Sequence, residues 1–199
     1  MDHKYIGDIK GFTLPLLDGE LVDFRPVRQD DRGTIQNGMS ALSSQSRRFR
    51  FFTPILRLSD AQLSNFTEID QHDHVAWIAL AHDGPEHQAL GIARFIRIQN
   101  NPEIAEFAMV VIDSYQKRGL GTILLAVLYH IASIKGINTL RSFILAENTA
   151  MSNWLGRLGA VGVYENDIIR MDLTVYSDLT CLPKTITARR FRNCIEGIG

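Results

Sequence analysis

A strand that runs through a glycine-bearing turn directly into an amphipathic helix constrains this chain more than any other feature. Ala105-Glu106-Phe107-Ala108-Met109-Val110-Val111-Ile112 is almost wholly apolar, and Asp113-Ser114-Tyr115-Gln116-Lys117-Arg118-Gly119 turns away from it. Leu120, Leu124, Leu125, Leu128, Ile131 and Ala132 then recur at helical spacing as far as Gly136, where a helix C-cap is expected. The first amides of a helix lack intrahelical acceptors and share the positive end of its dipole. A turn of this kind is therefore an anion seat, and glycine lets the ligand approach the backbone. Lys117 and Arg118 add charge beside it.

The rest of the chain supplies a sheet around that junction. Residues 1–19, ending in the turn signal Asp18-Gly19, are expected as an N-terminal leader that packs on the domain edge or frays. Leu21, Val22, Phe24 and Val27 mark a first strand, followed by a helix from Asp30-Asp31 to about Leu42 and a second helix starting at Ser59-Asp60. Val75 to Ala81, Ala89 to Ile98 and Glu103 to Ile112 read as three strands. The turn-forming clusters Asp83-Gly84-Pro85 and Asn100-Asn101-Pro102 separate them, which implies an antiparallel meander. After the helix from Leu120 come a strand over Thr139 to Leu145, a helix that Asn148 can cap, and final strands near Val161 to Tyr164 and Ile168 to Val175. The main domain is expected over 20–176. Residues 177–199 lose their period and carry Lys184, Arg189, Arg190 and Arg192, so a basic C-terminal extension is expected there.

Composition narrows the function classes. With 21 basic and 22 acidic residues the net charge is -1, so no global field draws the chain to nucleic acid or to an anionic membrane. Two cysteines without Cys-X-X-Cys spacing suggest neither a disulfide framework nor a zinc site. His72 and His74 flank Asp73 without further ligands, and no metal is expected. The chain has no signal-peptide pattern and no stretch of about 18 apolar residues, so a cytoplasmic protein is expected.

Three phosphate loops compete for the turn. The Walker loop fails because no Gly-Lys-Ser/Thr follows at the required spacing. The dinucleotide fingerprint fails because Leu124 stands where its third glycine belongs. What remains is Gln116-X-X-Gly119-X-Gly121, which resembles the Q/R-x-x-G-x-G/A loop of the GNAT superfamily of N-acetyltransferases. The order of elements from about Glu20 to Val175 also looks like that fold, and Ala146-Glu147-Asn148-Thr149-Ala150-Met151 resembles its second coenzyme A segment. The implied architecture is α/β (α+β): a mixed, mostly antiparallel twisted sheet of six to seven strands flanked by about four helices. Arg47-Arg48-Phe49-Arg50-Phe51-Phe52, Ala105-Glu106-Phe107 and Arg118-Gly119-Leu120-Gly121-Thr122 are most similar to the branch of Pat-type protein lysine acetyltransferases.

The resemblance implies acetyl-CoA as cosubstrate. Its diphosphate would rest on the segment Gln116, Lys117, Arg118, Gly119, Leu120, Gly121 and Thr122, with pantetheine along the backbone of Met109, Val110 and Val111. Asn148 would lie beside the pantetheine arm or serve only as an N-cap. Glu106, a carboxylate in an apolar strand, would be desolvated there, which favours its protonated form and suits a general base for an incoming ammonium. Alternatively, it pairs with Arg94 or Arg97 on the next strand. The family's helix-four Tyr, which protonates the departing thiolate, is matched here by Leu155.

The expected acceptor is a primary amine, a protein lysine first and a small metabolite amine second. A homodimer is compatible with this reading. The rival is a non-catalytic acyl-CoA sensor or protein-binding module, suggested by Leu155 and the basic tail. The Arg47 to Phe52 run reads as a helix end with phenylalanines inward and arginines in solvent or lining the acceptor side.

Overall fold

The computed structural model describes residues 11–83 and 88–198, so part of the expected turn at Asp83-Gly84-Pro85 lies outside the described residues. In chain order the elements are β1 (Phe12–Pro15), β2 (Leu21–Pro26), α1 (Arg32–Ser40), α2 (Ser44–Phe51), α3 (Asp60–Thr67), β3 (His74–Ala81), β4 (Ala89–Ile98) and β5 (Asn101–Val111). Then follow α4 (Leu120–Ile134), β6 (Thr139–Leu145), α5 (Thr149–Arg157), β7 (Val161–Glu165), β8 (Ile168–Thr174) and α6 (Ile186–Ile198). The strands form one sheet in the order β1-β2-β3-β4-β5-β6-β8-β7. Neighbours pair antiparallel except β5 and β6, whose parallel pairing needs a crossover that α4 supplies.

The sheet has eight strands where six to seven are expected, and six α-helices stand where about four are expected, all among the described residues. The extra strand is β1, which adds to the edge of β2 from within the expected leader. One extra helix is α2, capped by Ser43, whose hydroxyl accepts from the Ser46 N–H. The other is α6, in the stretch expected to lack a period. Its Ala188, Phe191 and Ile195 are buried at spacings of three and four, a helical stripe partly hidden among arginines.

Helix α4 is apolar on nearly every face because it is covered twice. One side lies on β3, β4 and β5, and the other receives α6, where the Tyr129 and Phe191 rings meet edge-on at 5.3 Å. The Tyr129 hydroxyl accepts from the Tyr176 N–H at 2.6 Å, and burial pushes this phenol up to about 12. Gly91 lets α4 settle close to β4, since a Cβ there would meet Leu120 at 2.8 Å and Leu124 at 3.1 Å. Helices α1, α2 and α3 cover the opposite face. Asp31 fixes their entry: it accepts two hydrogen bonds from Arg25 at 2.6 and 2.7 Å, and a third from the Arg28 N–H.

Candidate functional site

The site begins where two neighbouring strands part. β5 pairs with β6 only at Ile104, Ala105 and Glu106, although β5 continues to Val111. Ile112 turns its N–H toward β4, donating to the Leu90 carbonyl. Alternation along a strand then directs the backbone groups of Phe107, Met109 and Val111 to the side that β6 has left. The result is a forked cleft with Glu106 at its closed end and a run of strand backbone along one wall. Val110 differs from its two neighbours. Its carbonyl faces Gly91 of β4, and its side chain joins an apolar cavity under α1 and α3.

The open end of that wall leads to the turn before α4. Gly119 is the N-cap with φ of +94°, and its carbonyl accepts from the Thr122 and Ile123 N–H groups at 2.9 and 3.1 Å. Among the described residues the N–H groups of Gly119, Leu120 and Gly121 have no backbone acceptor, as the first amides of a helix do. Lys117, exposed beside them, also has a left-handed φ of 61°. The Arg118 side chain is engaged elsewhere. It pairs with Asp18 and Glu20 at 2.5 Å each and lies 4.4 Å over the Tyr115 ring, tying the β1–β2 turn to the loop. Hydrogen bonds from Arg118 hold Asp18 below its ordinary value. Glu20 is held down first by the Tyr115 hydroxyl and then by Arg118. Leu17 completes the contact: its N–H donates to the Arg118 carbonyl, and its side chain stands beside Gly119.

Helix α2 crosses near the cleft and is bolted to both of its sides. Asp113 accepts from the Ser43 N–H, the Ser43 hydroxyl and the Ser46 hydroxyl at 2.7 to 2.9 Å. The Gln116 amide donates to the Ser46 hydroxyl and to the Val111 carbonyl, both at 3.1 Å, so its side chain closes the turn. On the far side Arg48 donates to Glu147 at 2.7 Å, one residue before Asn148. Asn148 caps α5, its Oδ1 accepting from the Met151 N–H at 3.2 Å. Sequence reasoning missed Ser43, Ser46 and Asp113. Their only local signal is a Ser-X-X-Ser helix start, and the acid that completes it lies 70 residues away.

Glu106 is exposed, so the desolvation expected from its apolar strand is absent. Its strand is still paired on both sides there, with Ile96 of β4 and Arg141 of β6, but the sheet face around it is open: Ile96 beside it is 43% exposed, so water reaches the side chain. Neither does it close a salt bridge with Arg94 or Arg97. Arg97 bonds Asp73 and the Lys135 carbonyl, while Arg94 donates to the Asn65 carbonyl at 3.2 Å. Leu155 is fully buried in the core and has no proton to give. His72 is exposed against Asp73, and among the described residues no group of three or more His, Cys, Asp or Glu could hold a metal ion. No described helix is long and apolar enough to cross a membrane.

Comparison with known proteins agrees with this geometry. The family model of the acetyltransferase (GNAT) domain matches residues 22–161. The chain is 34% identical over 148 residues to Acetyltransferase Pat of Mycolicibacterium smegmatis, covering 74% of this chain and 44% of that protein. It thus spans less than half the length of that relative. It is 33% identical over 150 residues to Acetyltransferase PA5475 of Pseudomonas aeruginosa, covering 75% of this chain and 80% of that one. Among solved structures it superposes on the GNAT domain of S. lividans PAT with a TM-score of 0.76 at 26% identity, covering 84% of this chain and 98% of that domain.

Proposed function

The chain belongs to the GNAT family of acetyltransferases, and from that premise we propose that it transfers the acetyl group of acetyl-CoA to a primary amine by direct attack in a ternary complex. The observation that carries this reading is the fork itself. Strand backbone from Met109 to Val111 lacks a β6 partner and leads straight into the free amides of Gly119, Leu120 and Gly121. A diphosphate on those amides, within the loop Gln116 to Thr122, leaves pantetheine extended along β5, where strand amides can hold its amide groups. Asn148 offers its Nδ2 from the opposite wall. The catalytic unit of this proposal takes in residues 20–176, with β1 and α6 packed against it.

The thioester then lies near Glu106. A strand N–H such as that of Met109 supports the tetrahedral oxyanion, a preplaced dipole worth more than any reorganising solvent. Glu106, wet and exposed, takes the ammonium proton directly or through one water, freeing the lone pair that attacks the thioester carbon. Collapse expels the coenzyme as thiolate. A thiol with pKa near about 8.5 leaves without a full proton transfer, so the burial of Leu155 is compatible with turnover.

Glu106→Gln tests this. Acetyl-CoA binding measured by calorimetry should persist while acetylation of amine acceptors, followed by mass spectrometry, falls by about a hundredfold or more. Unchanged turnover would remove Glu106 from the mechanism. Acetyl-CoA binding with no acetylated amine for either protein would favour an acyl-CoA sensor.

A further inference from the structure

Beside Glu106 lies a pair of arginines that the proton transfer does not use. The Arg94 guanidinium stands 4.4 Å over the Phe66 ring, and that of Arg50 lies 5.5 Å from the same ring and 5.0 Å from the Phe51 ring. Arg94 spends one N–H on the Asn65 carbonyl. Arg50 has no oxygen acceptor among the described residues, and its Nε is buried without a partner. Burial first, and the like charge of Arg94 second, oppose its ionisation, with Glu106 favouring it. Burial likewise weakens Arg94 against support from Glu106. His74, on the same face, is held toward its neutral form by burial and by Arg94, and its Nε2 is also buried without a partner.

Register shows how these groups share one face of the sheet. His74 pairs with Ile96 and Ile96 with Glu106, while Arg94 stands two residues from Ile96 on the same face of β4. Ile96 is 43% exposed, so this face opens to solvent between His74 and Glu106. Nearby Arg141 adds no net charge, because Asp172 holds it through two bonds of 2.8 Å. Two guanidiniums against one carboxylate leave this patch one positive charge in excess. A half-buried guanidinium without an oxygen partner, as at Arg50, is costly, and a planar fork of N–H donors matches a carboxylate in both charge and shape.

We propose that Arg50 and Arg94 hold a carboxylate of the acceptor, so that the amine delivered to Glu106 belongs to a molecule carrying an anionic group a few bonds away. The inference rests on the acetyltransferase reading and narrows its substrate class. The patch mirrors a zwitterion: Glu106 faces the ammonium and the arginines face the carboxylate. The single excess charge suits a monoanion. A carboxylate of this kind comes either from a free amino acid or from an acidic residue beside a lysine in a peptide.

Two pairs of acceptors separate these sources: an amino acid against its carboxamide, and a lysine peptide with Asp beside the lysine against the same peptide with Asn. The wild-type protein should favour the carboxylate member of one pair by about ten- to hundredfold in kcat/KM. Preference in the first pair identifies a small molecule, and preference in the second a peptide. In Arg94→Gln and in Arg50→Gln that ratio should fall toward one, with acetyl-CoA affinity and circular dichroism unmoved. Arg94→Lys should restore part of it. Turnover of all four acceptors without preference, or a preference that survives both substitutions, overturns the inference and leaves acetyl transfer standing. Absence of turnover with every acceptor overturns both.

Discussion

Replacing Gly119 by alanine separates backbone strain from steric contact at the anion seat. Gly119 has φ of +94°, a left-handed conformation in which an L side chain costs about 1–2 kcal/mol. The added Cβ would also stand 3.1 Å from Leu17 Cγ and 3.6 Å from its Cδ1. Leu17 is 64% exposed, so its side chain can swing into solvent, and this contact adds no more than about 0.5 kcal/mol. For a chain of this length each kcal/mol lowers Tm by about 2–4 °C, which puts Gly119→Ala roughly 2–10 °C below wild type. Because the methyl group also crowds the amides that would receive a diphosphate, acetyl-CoA affinity should drop about tenfold, or about 1.4 kcal/mol. Thermal denaturation and calorimetry with acetyl-CoA measure the two effects, and Leu17→Ala in the same background apportions them. If the double variant regained wild-type Tm and affinity, the cost would lie in the Leu17 contact, and the role given to the left-handed N-cap would be wrong. An unperturbed Gly119→Ala would refute the whole account of the seat.

Asp113→Ala removes the acceptor shared by the Ser43 N–H and the Ser43 and Ser46 hydroxyls, so it should lower stability by about 1 kcal/mol and raise the KM for acetyl-CoA, seen in urea titration and initial rates. Burial opposes ionisation of Asp113, but the Ser43 and Ser46 donors outweigh it and hold the carboxyl below its ordinary 3.8. The Asp113 contribution is therefore complete above that value and is lost as pH falls through the lower folded value, so the stability gap between wild type and Asp113→Ala should close in acid. Gly91→Ala should cost about 1–3 kcal/mol, because its Cβ would meet Leu120 at 2.8 Å and the Val110 carbonyl at 3.0 Å; an unchanged Tm would contradict the close seating of α4. Phe191→Ala should cost about 3–5 kcal/mol by emptying the space against Tyr129. A loss below 1 kcal/mol in chemical denaturation would show that α6 is not part of the core.

Sequence by itself determined the features that rest on local chemistry. The apolar run before Gly119, the glycines of the turn and the helical stripe from Leu120 fixed the strand, loop and α4 in register, because each depends on neighbours within a few residues. Asn148 and Ser59 announced their helices for the same reason.

Only the tertiary structure decided what each side chain does. The apolar flanks of Glu106 suggested burial, yet its side chain lies on an open stretch of sheet face beside the exposed Ile96, and what covers a sheet face is a property of the whole fold. Arg118 stands beside the loop in sequence but spends its charge on Asp18 and Glu20, about a hundred residues back. Arg50 and Arg94 come together over Phe66 only because α2, α3 and β4 pack on one another. Short-range spacing encodes backbone conformation, whereas the partner of a long, charged side chain is chosen by whichever distant segments the core brings within reach.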